Sequence, residues 1–321
     1  MKPDYNSRNI SYPSQLAIFL GLTGGGLVIG AMATFAIWAM MTGQPFPMKA
    51  EDMLQPKYYS VNMVLQAVST FFIFFVPIHF FAAICYRKPF NYLGFNFRFN
   101  TKQALLLIAI LVVTFPLSGA FATLNKIIPI SHSLTAKFKA MELERDAQEA
   151  ALININSFSR YMISLVVIGL LPAVFEETFF RGGLQNLLTR WFKGPWVAII
   201  FTAIIFSLIH LSYYGFLVRF ALGIILGFIY YYSGSLWLSI LFHFLFNGIQ
   251  VTVLYVMTLN GTQNQNKNIE ESFPLWAGAV ALAVLLYLFK IYKRTSDAKQ
   301  SQYVEDITLD DDFHNWTANN S

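Results

Sequence analysis

A group of polar and ionisable side chains lies within apolar stretches of this 321-residue chain. Its members are Glu176, Glu177, Arg181, His210, Arg219, His243 and Asn247. A charged residue inside a membrane costs about 2.5–3.5 kcal/mol on insertion scales, so each is a functional candidate by default. Their types suit hydrolysis, because a poorly solvated carboxylate is a usable base for water, and imidazole or amide groups stabilise an oxyanion.

Two adjacent glutamates and an arginine occur in the stretch LPAVFEETFFRGGLQ. Glu177 and Arg181 are one helical turn apart with the acid first, which is the favourable order for a pair on one face. Glu176 lies about 100° around the helix from Glu177. We therefore expect Arg181 to hold Glu177 while Glu176 faces other neighbours. Taken alone, the Glu177–Arg181 pair would more often be a polar contact between helices than a catalytic one.

Two later stretches, FSLIH and HFLFN, each place two side chains on one helix face. Phe206 precedes His210 by four residues, and His243 precedes Asn247 by four, which is the spacing of neighbours on a helix. At about 1.5 Å per residue, Glu176 and His210 both lie roughly 21–22 Å along their helices from the turn that joins them. We therefore expect the glutamate, both histidines and the asparagine to meet around one cavity below the cytoplasmic face.

The composition indicates which elements must position these residues. The chain is 56% hydrophobic and only 12% charged, whereas a soluble domain carries about 25% charged residues. Its apolar blocks are long enough to cross a bilayer, which takes roughly 20 helical residues. Because a backbone in lipid must satisfy its own hydrogen bonds, we predict an all-α, polytopic membrane protein. Eight spans are expected, at about 15–42, 60–86, 103–123, 159–181, 195–212, 216–232, 236–257 and 273–292.

Cysteine content and charge placement limit the classes of protein that this chain can belong to. Cys85 is the single cysteine, so neither an internal disulfide nor a cysteine-rich zinc site is available. The net charge of +5 comes from basic residues in short loops beside apolar blocks. That placement is required by membrane topology and does not indicate nucleic-acid binding.

Lysine and arginine are concentrated on one side of the predicted bundle. The loop 87–102, the turn after the fourth span and the end of the eighth span carry them. With eight spans all three lie on the same side, which the positive-inside rule makes cytoplasmic, so we expect both termini in the cytoplasm. Segment 136–151 is predicted to be an external surface helix. The tail from Ser296 is predicted to be disordered and polar.

Three motifs, in order and on three predicted membrane helices, resemble those of one protein family. EETFFR matches EExxxR, FSLIH matches FxxxH and HFLFN matches HxxxN. They resemble the CAAX protease and bacteriocin-processing (CPBP) family of intramembrane proteases, which includes the type II CAAX prenyl endopeptidases and Abi-like proteins. The resemblance covers about residues 158–253. It implies an endopeptidase in a bacterial inner (plasma) membrane, acting on a membrane-associated, prenylated or leader-bearing protein or peptide.

The resemblance also implies a role for each matched residue. Glu176 would activate water with His210 as its partner, and His243 with Asn247 would stabilise the oxyanion. The remaining motif residues would support the site, and they are Glu177, Arg181 and Phe206.

The presence of a metal stays open at this point. Family members are often named metalloproteases, yet such a site has also been interpreted as glutamate-dependent without a firmly bound metal. Glu176, His210 and His243 are the candidate ligands for a divalent metal such as zinc. The chain lacks HExxH, and no other spacing demands a zinc ion.

Two alternatives to an enzyme also stay open. One is a non-catalytic membrane scaffold or bacteriocin self-immunity protein with the same fold. The other, less favoured, is a transporter, which predicts polar residues across the whole bundle and repeated halves. Here the polar residues gather in four consecutive spans, and the first three spans are nearly free of them.

The expected organisation has four parts. Residues 1–157 form an N-terminal transmembrane region of about three spans with an extracytoplasmic loop. Residues 158–257 form the CPBP-like protease core, 258–295 a loop and the last transmembrane helix, and 296–321 the polar tail.

Overall fold

The computed structural model describes residues 7–46, 53, 55–97, 99–152, 155–261 and 273–296. These residues are mostly helical, and none of them forms a strand. The helices in these ranges are α1 Tyr12–Thr42, α2 Pro56–Cys85, α3 Pro89–Leu93, α4 Thr101–Ile127, α5 His132–Leu152, α6 Phe158–Phe192, α7 Pro195–Leu208, α8 Phe216–Ser233, α9 Leu236–Leu259 and α10 Leu275–Ser296.

Seven of these helices are long and apolar enough to cross a membrane, namely α1, α2, α4, α6, α8, α9 and α10. The predicted all-α polytopic membrane protein is therefore confirmed. The fifth predicted span, 195–212, corresponds to α7, which is apolar but has only 14 residues. It is shorter than predicted because the chain leaves the helix after Leu208 and Leu211 adopts a left-handed backbone with φ of 51°.

Two regions outside the spans were also predicted from the sequence. The external surface helix expected at 136–151 corresponds to α5, which runs from His132 to Leu152. The polar tail expected from Ser296 lies outside the described residues after Ser296 itself.

Helix α6, which carries both glutamates, departs from regular α-helical geometry twice. Residues Leu165–Leu170 and Thr178–Gln185 have π-helical hydrogen bonding. The first segment precedes Pro172, which cannot donate a backbone hydrogen bond and clashes with the carbonyl four residues earlier. Proline in a helix interior is accommodated by such local changes in the backbone hydrogen bonding. Such turns are rare and frequently lie at functional sites.

Two buried apolar clusters hold the bundle together. One joins α6 and α7 to α1, α2 and α3, and includes Ile78, Phe180 and Phe206. The other joins α8 and α9 to α4 and α10, and includes Leu226 and Phe242. Because lipid tails are themselves apolar, such contacts stabilise a membrane bundle through close packing rather than through removal of water.

Close packing between α7 and α8 requires a glycine. A β-carbon on Gly223 would lie 2.9 Å from the β-carbon of Ala203, which is closer than such carbons normally approach. The small residue thus lets the two backbones come together. It also leaves the backbone carbonyls of this part of α8 facing α6, where polar side chains reach them.

Candidate active site

Glu177 is completely buried and lies at the centre of the polar cluster. One carboxylate oxygen, Oε1, accepts hydrogen bonds from Arg181 Nη1 at 2.8 Å and from His243 Nδ1 at 2.8 Å. A carboxylate that pairs with a guanidinium is ionised and can only accept, so the hydrogen must reside on His243 Nδ1. Glu177 therefore joins α6 to α9. Because Nδ1 of His243 is engaged by Glu177, Nε2 is the ring nitrogen that can interact with a substrate.

Arg181 is also completely buried, and three contacts fix its guanidinium. Besides Glu177, it donates from Nη2 to the backbone carbonyl of Gly223 at 3.2 Å. Its guanidinium carbon lies 4.7 Å from the centre of the Phe206 ring, which is a cation–π distance. A buried charge is tolerated only when it is paired and hydrogen-bonded, and these contacts meet that condition.

The spacing from Phe206 predicted that His210 lies on the face of α7, and this prediction is wrong. The helix ends at Leu208, and His210 occupies the turn that follows, where its backbone N–H bonds to the carbonyl of Ser207 at 3.3 Å. The two side chains still meet, because the rings of Phe206 and His210 lie edge to face with centres 5.0 Å apart.

The backbone carbonyl of Phe206 also fixes which nitrogen of His210 carries the proton. Nδ1 lies 2.6 Å from that carbonyl oxygen. A carbonyl can only accept, so Nδ1 donates and Nε2 of the neutral ring presents a lone pair. The FxxxH spacing therefore selects the tautomer of His210 as well as its position.

The Phe206 side chain brings the three motif helices together. Its ring lies edge-on to Phe180 of α6 at 5.2 Å and to His243 of α9 at 6.2 Å between ring centres. With Arg181 stacked on it as well, the phenylalanine contacts the EExxxR, FxxxH and HxxxN segments. The three motifs thus meet at one aromatic side chain, and the predicted cavity shared by Glu176, His210, His243 and Asn247 stays a prediction.

Glu176 has a different environment from its neighbour. Its side chain is buried, with 9% exposed, and within the described part of the chain no group donates a hydrogen bond to its carboxylate. The groups that act on it electrostatically are His243, Glu177, Arg181 and Arg219. Two adjacent carboxylates therefore differ, because Glu177 accepts two hydrogen bonds through Oε1 and Glu176 accepts none from the described residues.

Asn247 lies one turn after His243 on α9 and is half-buried. Its Nδ2 reaches the carbonyl oxygen of Ile168 at 3.5 Å. In a regular α-helix the residue at 172 would donate to that carbonyl, and Pro172 has no hydrogen to give. The asparagine of the third motif thus contacts a backbone acceptor on α6 in the turn before Pro172.

The three candidate metal ligands do not assemble into a metal centre. In the ranges that the structure describes, no group of three or more His, Cys, Asp or Glu side chains is placed to hold a metal ion. His243 uses Nδ1 for Glu177, and His210 uses Nδ1 for the Phe206 carbonyl. These bonds leave Nε2 of each ring without a hydrogen bond of its own among the described residues, and no step below involves a metal.

Two polar residues lie beside the motif residues although neither belongs to a motif. Gln185 is buried and donates from Nε2 to the carbonyl of Gly227 at 3.0 Å, one turn after the Arg181 contact with Gly223. Arg219, in the first turn of α8, acts electrostatically on both Glu176 and His210. The signal for Gln185 was its spacing of four residues from Arg181, and the signal for Arg219 was a charge in an apolar helix.

These features define a helical integral membrane protein with a buried glutamate, histidine and arginine cluster. Residues 158–249 match the protein-family model described as Type II CAAX prenyl endopeptidase Rce1-like. The match covers well under half of the chain but includes every motif residue. It supports a CPBP family intramembrane protease, which confirms the resemblance of the motifs. No curated protein and no solved structure matches the chain.

Proposed function

We propose that this protein is an intramembrane endopeptidase in which Glu176 activates the attacking water. The observation that carries the proposal is the division between the two glutamates. Glu177 is engaged by Arg181 and His243, whereas no described residue donates a hydrogen bond to Glu176. A buried carboxylate without hydrogen-bond donors is well suited to take a proton from water.

The proposed first step is attack of water on the peptide carbonyl. Glu176 accepts one proton of the water, and the lone pair on Nε2 of His210 accepts a hydrogen bond from the same molecule and orients it. The oxygen of the water bonds to the carbonyl carbon, and the electron pair of the C=O bond moves onto its oxygen. The carboxylic acid formed at Glu176 then gives its proton to the departing amine as the C–N bond breaks.

The oxyanion formed in that step needs hydrogen-bond donors, and His243 and Asn247 are proposed to supply them. Because Nδ1 of His243 already donates to Glu177, Nε2 can donate only when the ring carries both protons. The ionised Glu177 stabilises that imidazolium. Glu177, Arg181 and Phe206 therefore support catalysis by holding the histidine in this state and place.

The substrate class follows from the setting of the site. An intramembrane CAAX-type protease acts on membrane-associated substrates, and we propose a prenylated or leader-bearing protein or peptide. The proposed location is a bacterial inner membrane with both termini cytoplasmic, on the distribution of Lys and Arg. Residues 158–257 are proposed as the protease core, with 1–157 and 258–295 as flanking transmembrane regions.

The test is a cleavage assay with the purified chain in liposomes, against a panel of prenylated and leader-bearing peptides. Wild type is compared with Glu176→Gln and with Glu144→Gln, a matched change on the exposed surface of α5. We expect Glu176→Gln to lose cleavage by several orders of magnitude and Glu144→Gln to retain it. Full cleavage by folded Glu176→Gln would refute the proposed base, and cleavage of no peptide by folded wild type would favour a non-catalytic scaffold.

A further inference from the structure

The turn that carries His210 joins α7 to α8 and has little regular structure of its own. Leu211 has a left-handed backbone, with φ of 51°, and its side chain is exposed. A leucine in this region is strained, so the surrounding structure must hold the turn in place. Within the turn, Ser212 Oγ accepts from the N–H of Gly215 at 3.0 Å, and Phe216 N–H donates to the carbonyl of Tyr213 at 3.1 Å.

Helix α8 begins after this turn without a capping side chain of its own. Its N-cap residue is Gly215, which has no side chain to accept a hydrogen bond. The first N–H groups of a helix lack partners within the helix, and a side-chain oxygen normally accepts from the second or third of them. The second helical residue here is Leu217, so its N–H needs an acceptor from elsewhere.

Asn125 of α4 supplies that acceptor and also holds the turn itself. Its Oδ1 accepts from the N–H of Leu217 at 3.0 Å, and its Nδ2 donates to the carbonyl of Tyr213 at 2.7 Å. The side chain is 2% exposed. One buried amide thus uses both of its ends on the segment that follows His210, acting as a cap for α8 that comes from a different helix.

We infer that Asn125 is a positioning residue for His210. Its two hydrogen bonds tie the Tyr213 end of the turn and the first turn of α8 to α4. The turn between α7 and α8 is therefore held in one conformation. His210 lies three residues before the Tyr213 carbonyl that Asn125 holds. The role rests on the proposed function, in which His210 orients the attacking water.

Asn125 places a positioning residue outside the segment that resembles the protease family. Asn125 lies outside residues 158–249, in the region whose sequence matches no motif. Helix α4 packs on α8 and α9 through the second apolar cluster, so its position relative to the turn is fixed. The N-terminal transmembrane region is therefore required for the geometry of the site and is not only a flanking anchor.

The experiment uses the full chain in detergent micelles with 15N-labelled histidine. Asn125→Ala removes both hydrogen bonds, whereas Asn125→Asp keeps an acceptor for Leu217. Asn62→Ala is the matched control, because Asn62 is a buried amide on α2 whose hydrogen bond goes to the Met53 carbonyl and not to the His210 turn. The ring signals of His210 are assigned by their loss in His210→Ala, and kcat and KM are measured on any peptide that wild type cleaves.

Asn125→Ala is expected to shift the His210 ring signals, to leave those of His243 in place, and to lower kcat by about ten- to a hundredfold with KM nearly unchanged. Asn125→Asp should recover part of kcat. Asn62→Ala should alter neither the His210 ring signals nor kcat. Unchanged His210 signals in folded Asn125→Ala, or equal losses in Asn125→Ala and Asn62→Ala, would overturn the inference. The ring signals decide it even if wild type cleaves no peptide, so failure of the proposed function is a separate result.

Discussion

At the scale of single residues, the two adjacent glutamates have the same side chain but different hydrogen-bond partners. Glu177 carries two 2.8 Å hydrogen bonds through one oxygen, and Glu176 carries none from any residue that the structure describes. Breaking a buried ion pair by removing one partner costs about 3–5 kcal/mol, since the other charge stays buried and unpaired. Removing a carboxylate that makes no such bond has no comparable cost.

We therefore predict opposite effects for two isosteric substitutions. Glu177→Gln should lower the free energy of unfolding by roughly 3 kcal/mol, because Arg181 is left buried without its anion. Glu176→Gln should leave that free energy unchanged or slightly raised, while abolishing cleavage. Denaturant unfolding in mixed micelles measures the first quantity and the peptide assay the second. Equal stability losses in the two variants would contradict the division of roles between the glutamates.

At the scale of helices, much of the arrangement could be predicted from the sequence. Apolar length predicts the spans, and the four-residue spacings of Glu177 with Arg181 and of His243 with Asn247 hold on α6 and α9. What could not be predicted depends on contacts between distant segments. The exit of His210 from α7 depends on the backbone of Leu211, and the cap that Asn125 provides pairs residues about 90 positions apart in the chain.

The contact between α6 and α8 gives a prediction at this scale. Arg181 and Gln185, four residues apart, donate to the carbonyls of Gly223 and Gly227, also four apart. A β-carbon on Gly227 would lie 2.8 Å from Gln185 Oε1 and 2.8 Å from Ile199 Cγ2. Gly227→Ala should therefore separate the helices and cost about 1–3 kcal/mol of stability.

The matched control for that change is Gly21→Ala on α1, where a β-carbon would meet nothing within 4 Å. It should be neutral or slightly stabilising, because alanine is the better helix former. Thermal unfolding of the two variants, with cleavage rates alongside, makes the comparison. If Gly227→Ala were as stable and as active as Gly21→Ala, the carbonyl contacts would not position Arg181.

At the scale of the whole molecule, the His210 turn and the basic loops lie at opposite ends of the bundle. Helix α5 contacts the turn, with Phe138 stacked on Tyr213 at 4.7 Å and Glu142 accepting from Ser212 Oγ at 3.0 Å. The loop with Arg87 lies at the other end of α2 and α4. If the positive-inside rule places that loop in the cytoplasm, α5 and the turn face outward, and the site is nearer the outer face than the sequence led us to expect.

Cysteine labelling of intact cells tests this orientation, because the native Cys85 is buried and contributes little background. Ser133→Cys places a thiol on exposed α5, and Asn91→Cys places one on exposed α3. A membrane-impermeant maleimide should label the first in intact cells and the second only after permeabilisation. The reverse pattern would place α5 and the His210 turn in the cytoplasm, and substrates would then have to approach the site from inside the cell.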